Sequence, residues 1–517
     1  MAAQPVLPLL LYLLLVPLLL LLRATTTRSA GERAAADNHG GRPLPSPPNK
    51  LPLIGHLHLV GPDPHVSLAA LATRALVVSS PRAAEAVLRT HDHVFASRPP
   101  SALVDALLGG GADVAFAPYG EFWRQARRLV TTHLRSARKV HSLRRGREEE
   151  ARLVMAGIRG AAAAGAPVDM TRLLGSFTND IACRAVSGKF FREEGRNELF
   201  REAIDGNVAA FGGFSVLDYF PGLAKVGVLA RLVFAKTNQL KRKWDELLDK
   251  IIDDHVSKAS AQEQHPEHDQ QEDQEETDFV DVLLDLQEGY NLTREHIKAI
   301  LMCADASDRT HTQDMFVAGT DTSYIVLECA MAELMRKPNL MTKLQAEVRQ
   351  KTPKGQQMVT EDDLGNMAYL KAVVKETLRL HPPLPLLLPH LSMAECDIDG
   401  YKVSAETRVI VNAWALGRDP GSWEAADEFM PERFVDIVSL DFKGRDFQFL
   451  PFGAGRRMCP GINFGMASVE IMLANLVYCY DWELPDGMRQ AGLDMTDVFG
   501  MTMRRKEKLF LIPRMRC

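Results

Sequence analysis

The densest chemistry in the chain lies in Phe452-Gly453-Ala454-Gly455-Arg456-Arg457-Met458-Cys459-Pro460-Gly461, ahead of an apolar run with helical spacing from Asn463. Three glycines near one cysteine permit a backbone tight enough to approach a flat ligand closely. Cys459 stands just before a helix N-terminus, with Arg456 and Arg457 beside it. The helix dipole and the guanidinium charges both favour thiolate over thiol. Such a thiolate suits a soft metal or a nucleophilic role. Structural zinc takes about four ligands, mostly Cys or His in local pairs. No histidine follows His390 and the next cysteine is Cys479, so zinc does not fit. A cysteine nucleophile needs a basic partner from a distant part of the chain, which the sequence leaves open. Axial ligation of a haem iron needs only the one thiolate and fits best.

Three other segments carry groups at usable spacings. Glu376-x-x-Arg379 lies in a helical run ending at His381-Pro382-Pro383; such an i,i+3 pair alone contributes only ~0.2–0.5 kcal/mol. Ala318-Gly319-Thr320-Asp321-Thr322-Ser323 offers a carboxylate beside a hydroxyl, which either relays protons or hydrogen-bonds a local kink. Nine basic residues cluster between Arg124 and Arg147. They form a solvated helical face or a docking surface for an acidic partner.

Taken together, these segments resemble the cytochrome P450 family. Phe452-x-x-Gly455-x-Arg457-x-Cys459-x-Gly461 is similar to its haem-binding loop, and Cys459 would then be the iron ligand. The resemblance implies that Glu376 and Arg379 pair with the Arg of Pro431-Glu432-Arg433-Phe434 in a buried structural charge network. It implies that Gly319 leaves room for dioxygen, while Asp321 and Thr322 relay protons. Trp123-Arg124-Gln125-Ala126-Arg127 looks like the family's tryptophan–arginine helix. Trp123, Arg127 and Arg457 would then donate to the haem propionates, joined by His390 where plant relatives usually carry arginine. The loop wording and the N-terminal organisation resemble the plant microsomal group of specialised metabolism.

These groups need a large scaffold, and the composition supplies one. The chain has 517 residues, 46% hydrophobic and 25% charged, which excludes a largely disordered protein. A net charge of −5 and pI near 6.3 argue against a nucleic-acid binder. Seven scattered cysteines make no disulfide framework, so the folded bulk belongs to a reducing compartment. Residues 1–22 carry no charge and are mostly Leu from Val6 onward. At about 1.5 Å per residue they reach roughly 33 Å, enough for a ~30 Å hydrocarbon core. Arg23, Arg28 and Arg33 follow, which keeps that side cytosolic and reads as a single-pass signal anchor. Residues 23–50 form a tether ending in a proline-rich hinge, with Pro43, Pro45, Pro47 and Pro48. Residues 51–517 form one haem-binding domain, by resemblance mainly α with small β-sheets. Glu121–Thr132, Lys236–Val256, Tyr324–Arg336, Leu364–Leu380 and Asn463–Cys479 predict helices; Val403–Val411 and Lys508–Ile512 predict strands. Residues 262–276, polar throughout, predict a solvated loop.

The family implies a monooxygenase that inserts one atom of O₂ into a hydrophobic terpenoid, phenolic or indolic compound. NADPH would supply electrons through a membrane-bound flavoprotein reductase at the endoplasmic reticulum, docking near the basic cluster. Substrate would touch Ser101–Ala117, Ala318–Thr322, Leu384–Leu388 and Phe499–Met501. Two departures stand against this pattern. About a dozen residues, a strand and turn, are absent where Leu68–Arg74 runs directly into Ala75-Leu76-Val77-Val78. Cys303–Gln313 is an added polar stretch entering the oxygen-activating helix. They keep in view a non-functional membrane-anchored relative; a separate alternative, a haem-bound isomerase or dehydratase working without a reductase, has the intact Asp321-Thr322 against it.

Overall fold

The computed structural model describes residues 76–101, 114–188, 198–202, 227–264, 277–290, 292–294, 297–298, 301, 316–436, 439–485, 487–498 and 502–515. The expected anchor at 1–22, the tether and hinge at 23–50, the junction at Arg74, Cys303–Gln313 and Phe499–Met501 lie outside these residues.

The longer helices, in chain order, are α1 (Glu121–Leu129), α2 (Arg144–Ala164), α3 (Met170–Ser187), α4 (Gly227–Gln264), α5 (Phe316–Arg336), α6 (Pro338–Lys351), α7 (Ala368–Leu380) and α8 (Ile462–Cys479). Among the described residues the strands make four small sheets, so the architecture is mainly α, as the sequence implies. In the first, β1 (Leu76–Val78) lies parallel to β6 (Arg408–Val411), which pairs antiparallel with β3 (His390–Leu391). β4 (Cys396–Ile398) and β5 (Tyr401–Val403) form a hairpin. β2 (Val168–Asp169), β7 (Tyr480–Glu483) and β10 (Phe510–Met515) form the second three-stranded sheet. β8 (Asp497–Val498) pairs with β9 (Arg504–Arg505).

The sequence periodicity locates the helices well and their ends less well. α1 continues beyond Leu129 as a wider π-type turn, Val130–Leu134. α4 runs longer at both ends than expected and takes in residues 262–264, the start of the polar stretch. Leu364 lies in a separate short 3₁₀ turn before α7. The single strand expected over Val403–Val411 is two strands, because the chain turns at Ser404–Thr407 with Glu406 at φ +61°. The last strand begins at Phe510 rather than Lys508, since Lys508 faces solvent and pairs with Asp169 at 3.0 Å. β1 is an edge of its sheet among the described residues.

α5 and α8 are the spine. α8 buries Phe464, Val469, Ile471, Leu473 and Leu476, each worth ~1.5–3 kcal/mol of transfer free energy. Its buried Asn475 is satisfied: its amide donates to Val359 O at 3.0 Å and to Ile471 O at 2.9 Å, and its oxygen accepts from Val359 N at 2.9 Å. α8 is apolar and long enough to cross a membrane, but 61% of it is buried within the protein, as befits a core helix.

Candidate active site

The cysteine loop enters α8. Cys459 N–H donates to Phe452 O at 2.9 Å, closing the loop, and Gly461 N–H donates to Cys459 Sγ at 3.3 Å. That N–H and the α8 N-terminus behind it stabilise negative charge on the sulfur. A Cβ on Gly461 would stand 3.7 Å from Sγ, an ordinary van der Waals contact. Gly455 has a different duty from the one expected. At φ +69°, its Cβ would lie 2.4 Å from Leu88 O and 2.5 Å from Asp92 Oδ1, so this glycine admits the protein itself rather than a flat ligand.

Opposite the loop stands α5, regular from Phe316 onward. Gly319, Thr322, Ser323 and Val326 line the same cavity as Cys459. Asp321 does not. Neighbouring residues on a helix diverge by about 100°, and the Asp321 carboxylate, buried, accepts instead from the Thr502 hydroxyl and the Arg504 guanidinium. The structure brings Thr322 to the cavity and ties Asp321 to β9.

The expected anionic-arm donors gather at the other end of the loop. Arg457, buried, donates to Ala96 O at 2.6 Å, to Val114 O at 3.2 Å and to Ala117 O, and lies 4.3 Å above the Trp123 ring. Trp123 Nε1–H donates to Val114 O at 3.0 Å. Arg127 donates to Met458 O. His390 is fully enclosed; burial first, then the charges of Arg98 and Arg457, push its pKa down to about 3. Neutral, it donates Nδ1–H to Phe95 O at 2.7 Å, which leaves Nε2 an acceptor. Arg98 is a member that sequence reasoning missed. It is buried, lines the cavity, and donates to Ala115 O at 2.7 Å and to Leu388 O and Pro389 O at 2.8 Å each. Nothing in the spacing of Ser97-Arg98-Pro99 marks it.

The cavity has a volume of about 220 Å³ and opens to solvent at its mouth. Its described lining includes Arg98, Arg127, Arg135, Arg457 and His390, no Asp or Glu, and otherwise mostly apolar groups. A flat macrocycle with one thiolate ligand and two carboxylate arms fits this donor set: sulfur on one wall, glycine opposite, arginines for the arms. Of the expected substrate contacts, Val114, Ala115, Gly319, Thr322, Leu384, Leu387 and Leu388 line the cavity.

Behind the loop, the expected charge network is present. Glu376 accepts from Arg379 Nε and Nη2 at 2.8 Å each and from Arg433 Nε at 3.1 Å. Met430 N–H adds a bond at 2.7 Å. Arg379 and Arg433 spend their remaining donors on the carbonyls of Gly417, Glu424, Ala426 and Glu428, which pins the coil leading to the cysteine loop. The basic cluster at 124–152 is thinner than its sequence. Arg124 pairs with Glu121, Arg144 with Asp362 at 2.7 Å, and buried Arg147 with Glu361 at 2.6 Å. Arg128, Arg138 and Arg145 remain exposed.

Known proteins agree with this geometry. The family model for cytochrome P450 matches residues 45–511. Indole-2-monooxygenase of Zea mays is 55% identical, covering 91% of this chain and 87% of that one. A 3-hydroxyindolin-2-one monooxygenase of Zea mays is 49% identical over 91% and 88%. A zebrafish cytochrome P450 solved with abiraterone superposes with TM-score 0.67 at 24% identity, covering 88% of this chain and all of that one. Helical architecture, cysteine loop and relatives agree: this chain belongs to the cytochrome P450 family and is a haem-dependent monooxygenase.

Proposed function

We propose that the protein hydroxylates a flat, uncharged indole-type heterocycle at the cytosolic face of the endoplasmic reticulum. The observation that carries this is the single cavity joining Cys459 to Thr322, apolar apart from its cationic end. Its similarity to indole-2-monooxygenase narrows the substrate class from terpenoid, phenolic or indolic to the last. The haem supplies dioxygen binding and cleavage, with two electrons from NADPH and release of one oxygen atom as water.

The protein's own groups divide the remaining work. Cys459 Sγ would hold the iron, helped by the Gly461 N–H. Arg98, Arg127 and Arg457 would hold the propionates, whereas Trp123 and His390, expected as donors, give their N–H groups to Val114 O and Phe95 O and brace that end of the cavity instead. Thr322 Oγ1 passes protons into the oxygen side, while Asp321 keeps β9 against α5. The apolar wall of Leu384, Leu387 and Leu388 excludes water and orients the ring. Residues 1–22 anchor the chain, residues 23–50 form tether and hinge, and residues 51–517 form the catalytic domain. A membrane-bound flavoprotein reductase docks through an acidic surface on Arg128, Arg138 and Arg145.

The test is the full-length chain co-expressed with a plant reductase in microsomes. The reduced, carbon-monoxide-bound spectrum reports thiolate ligation. Indole, indolin-2-one and 3-hydroxyindolin-2-one are then supplied with NADPH under isotopic O₂. NADPH-dependent product carrying one labelled oxygen supports the reading. Thiolate-ligated haem that shows neither a binding spectrum nor product with any indole overturns the substrate class. Turnover without NADPH overturns the reductase-dependent chemistry.

A further inference from the structure

Asp92 follows the short helix Pro81–Glu85 and its π-type continuation Ala86–Thr90, over 360 residues before the cysteine loop. It nevertheless touches that loop directly. Its carboxylate accepts the backbone N–H of Arg456 at 3.1 Å on Oδ1 and 3.3 Å on Oδ2. It also accepts the Arg456 guanidinium at 2.6 Å. Gly455 makes the approach possible, since its Cβ would collide with Leu88 O and with the carboxylate. Arg456 N–H belongs to the 3₁₀ turn Gly455–Arg457, whose end aims Arg457 inward and hands the chain to Cys459.

The chain beyond Asp92 makes a strap around the cavity's cationic end. Phe95 O receives His390, Ala96 O receives Arg457, the Ser97 hydroxyl receives Tyr119 N–H at 3.2 Å, and Arg98 spans to Leu388 and Pro389. One seven-residue stretch therefore holds the cysteine loop at its start and the donor cluster along its length. We propose that Asp92 is a positioning residue for the thiolate: by fixing Gly455–Arg457 it sets the place of Cys459 Sγ against the iron. The carboxylate side chain is only 16% exposed, so its bonds are partly shielded from water. The backbone bond does the positioning; the guanidinium, 44% exposed and screened by solvent, adds little to it.

The experiment uses full-length holoprotein in detergent, with Asp92→Ala, Asp92→Asn, Asp92→Glu and Arg456→Ala. The readouts are the division of the reduced, carbon-monoxide-bound spectrum between the thiolate band and the displaced-thiolate band, and the haem midpoint potential. Melting is followed alongside. Asp92→Ala is expected to raise the displaced fraction at least threefold and to shift the potential. Asp92→Asn, which keeps an acceptor for the Arg456 N–H, should fall between it and the parent, and Arg456→Ala should stay close to the parent. If Asp92→Ala yields no folded holoprotein, Asp92→Asn and Asp92→Glu carry the comparison. Variants that melt earlier while keeping the parent's band division and potential would reduce Asp92 to a structural contact and overturn the proposal. So would Arg456→Ala matching Asp92→Ala, because the backbone bond would then do nothing.

Discussion

Asp321 and Thr322 are neighbours with different predicted fates, and substituting each alone separates a tether from a proton relay. The Asp321 carboxylate is 3% exposed and bonded to Thr502 and Arg504. A hydrogen bond to a charged partner contributes about 1.5–3 kcal/mol, and a neutral one about 0.5–1.5. Asp321→Asn keeps one oxygen, keeps a bond to Thr502 and loses the charge facing Arg504, whose side chain is 31% exposed. Solvent at Arg504 trims the loss to about 2 kcal/mol. Thr322→Val preserves shape and removes the hydroxyl from the cavity wall. General acid–base participation is worth roughly 10²–10⁴ in rate. The assay is melting of purified holoprotein together with NADPH consumed, peroxide released and product formed. Asp321→Asn should melt earlier and keep the parent's product per NADPH in the molecules that remain folded. Thr322→Val should divert most of its NADPH to peroxide. If Asp321→Asn melts within ~0.5 kcal/mol of the parent and diverts NADPH as strongly as Thr322→Val, the carboxylate serves the cavity and the tether reasoning is wrong.

Glu376→Gln places an amide N–H against arginine donors in a buried site, and removing one partner of such a network costs about 3–5 kcal/mol. Little holoprotein should accumulate, as measured by haem per protein; parent-like yield would contradict the network. Burial pushes the Glu470 carboxyl up to about 7. Its charged form is disfavoured in the folded state, so native stability falls as pH rises from about 4.5 to 7 and stays lower above. Glu470→Gln should therefore raise the unfolding free energy at pH 8, by up to about 3 kcal/mol at ~1.36 kcal/mol per pKa unit, and leave it unchanged near pH 4, as read by melting at the two pH values. An equal gain at both pH values would rule out ionisation as the cause. Reversing Arg128, Arg138 and Arg145 to glutamate should slow reductase-dependent haem reduction at least tenfold at low salt and flatten its salt dependence, read by stopped-flow; an unchanged rate would move the docking surface elsewhere.

The helices were legible because their apolar spacing repeats every three to four residues, which is a local property. Tyr324–Arg336 and Asn463–Cys479 fall inside α5 and α8 for that reason. The break in Val403–Val411 was not legible, because Glu406 takes a left-handed conformation that its residue type does not announce. The basic cluster was overread for a related reason. Its partners Asp362 and Glu361 come from more than 200 residues away, and charge counted along a helix cannot see them.

The sequence alone determined the family and with it the haem, because the cysteine loop is a short run whose residue types carry the resemblance, and that resemblance in turn implied the charge network. Tertiary structure decided which way those residues face. Thr322 and Asp321 sit side by side, but the packing of β9 against α5 claims one and leaves the other to the cavity. Gly455 belongs to a motif read as a ligand cradle, yet its open side is filled by Leu88 and Asp92. Arg98 and Asp92 lie in no recognisable spacing and become parts of the site only when the strap closes on the loop. Chemistry is written in residue types, whereas direction and partnership are set by segments hundreds of residues apart meeting in one close-packed interior.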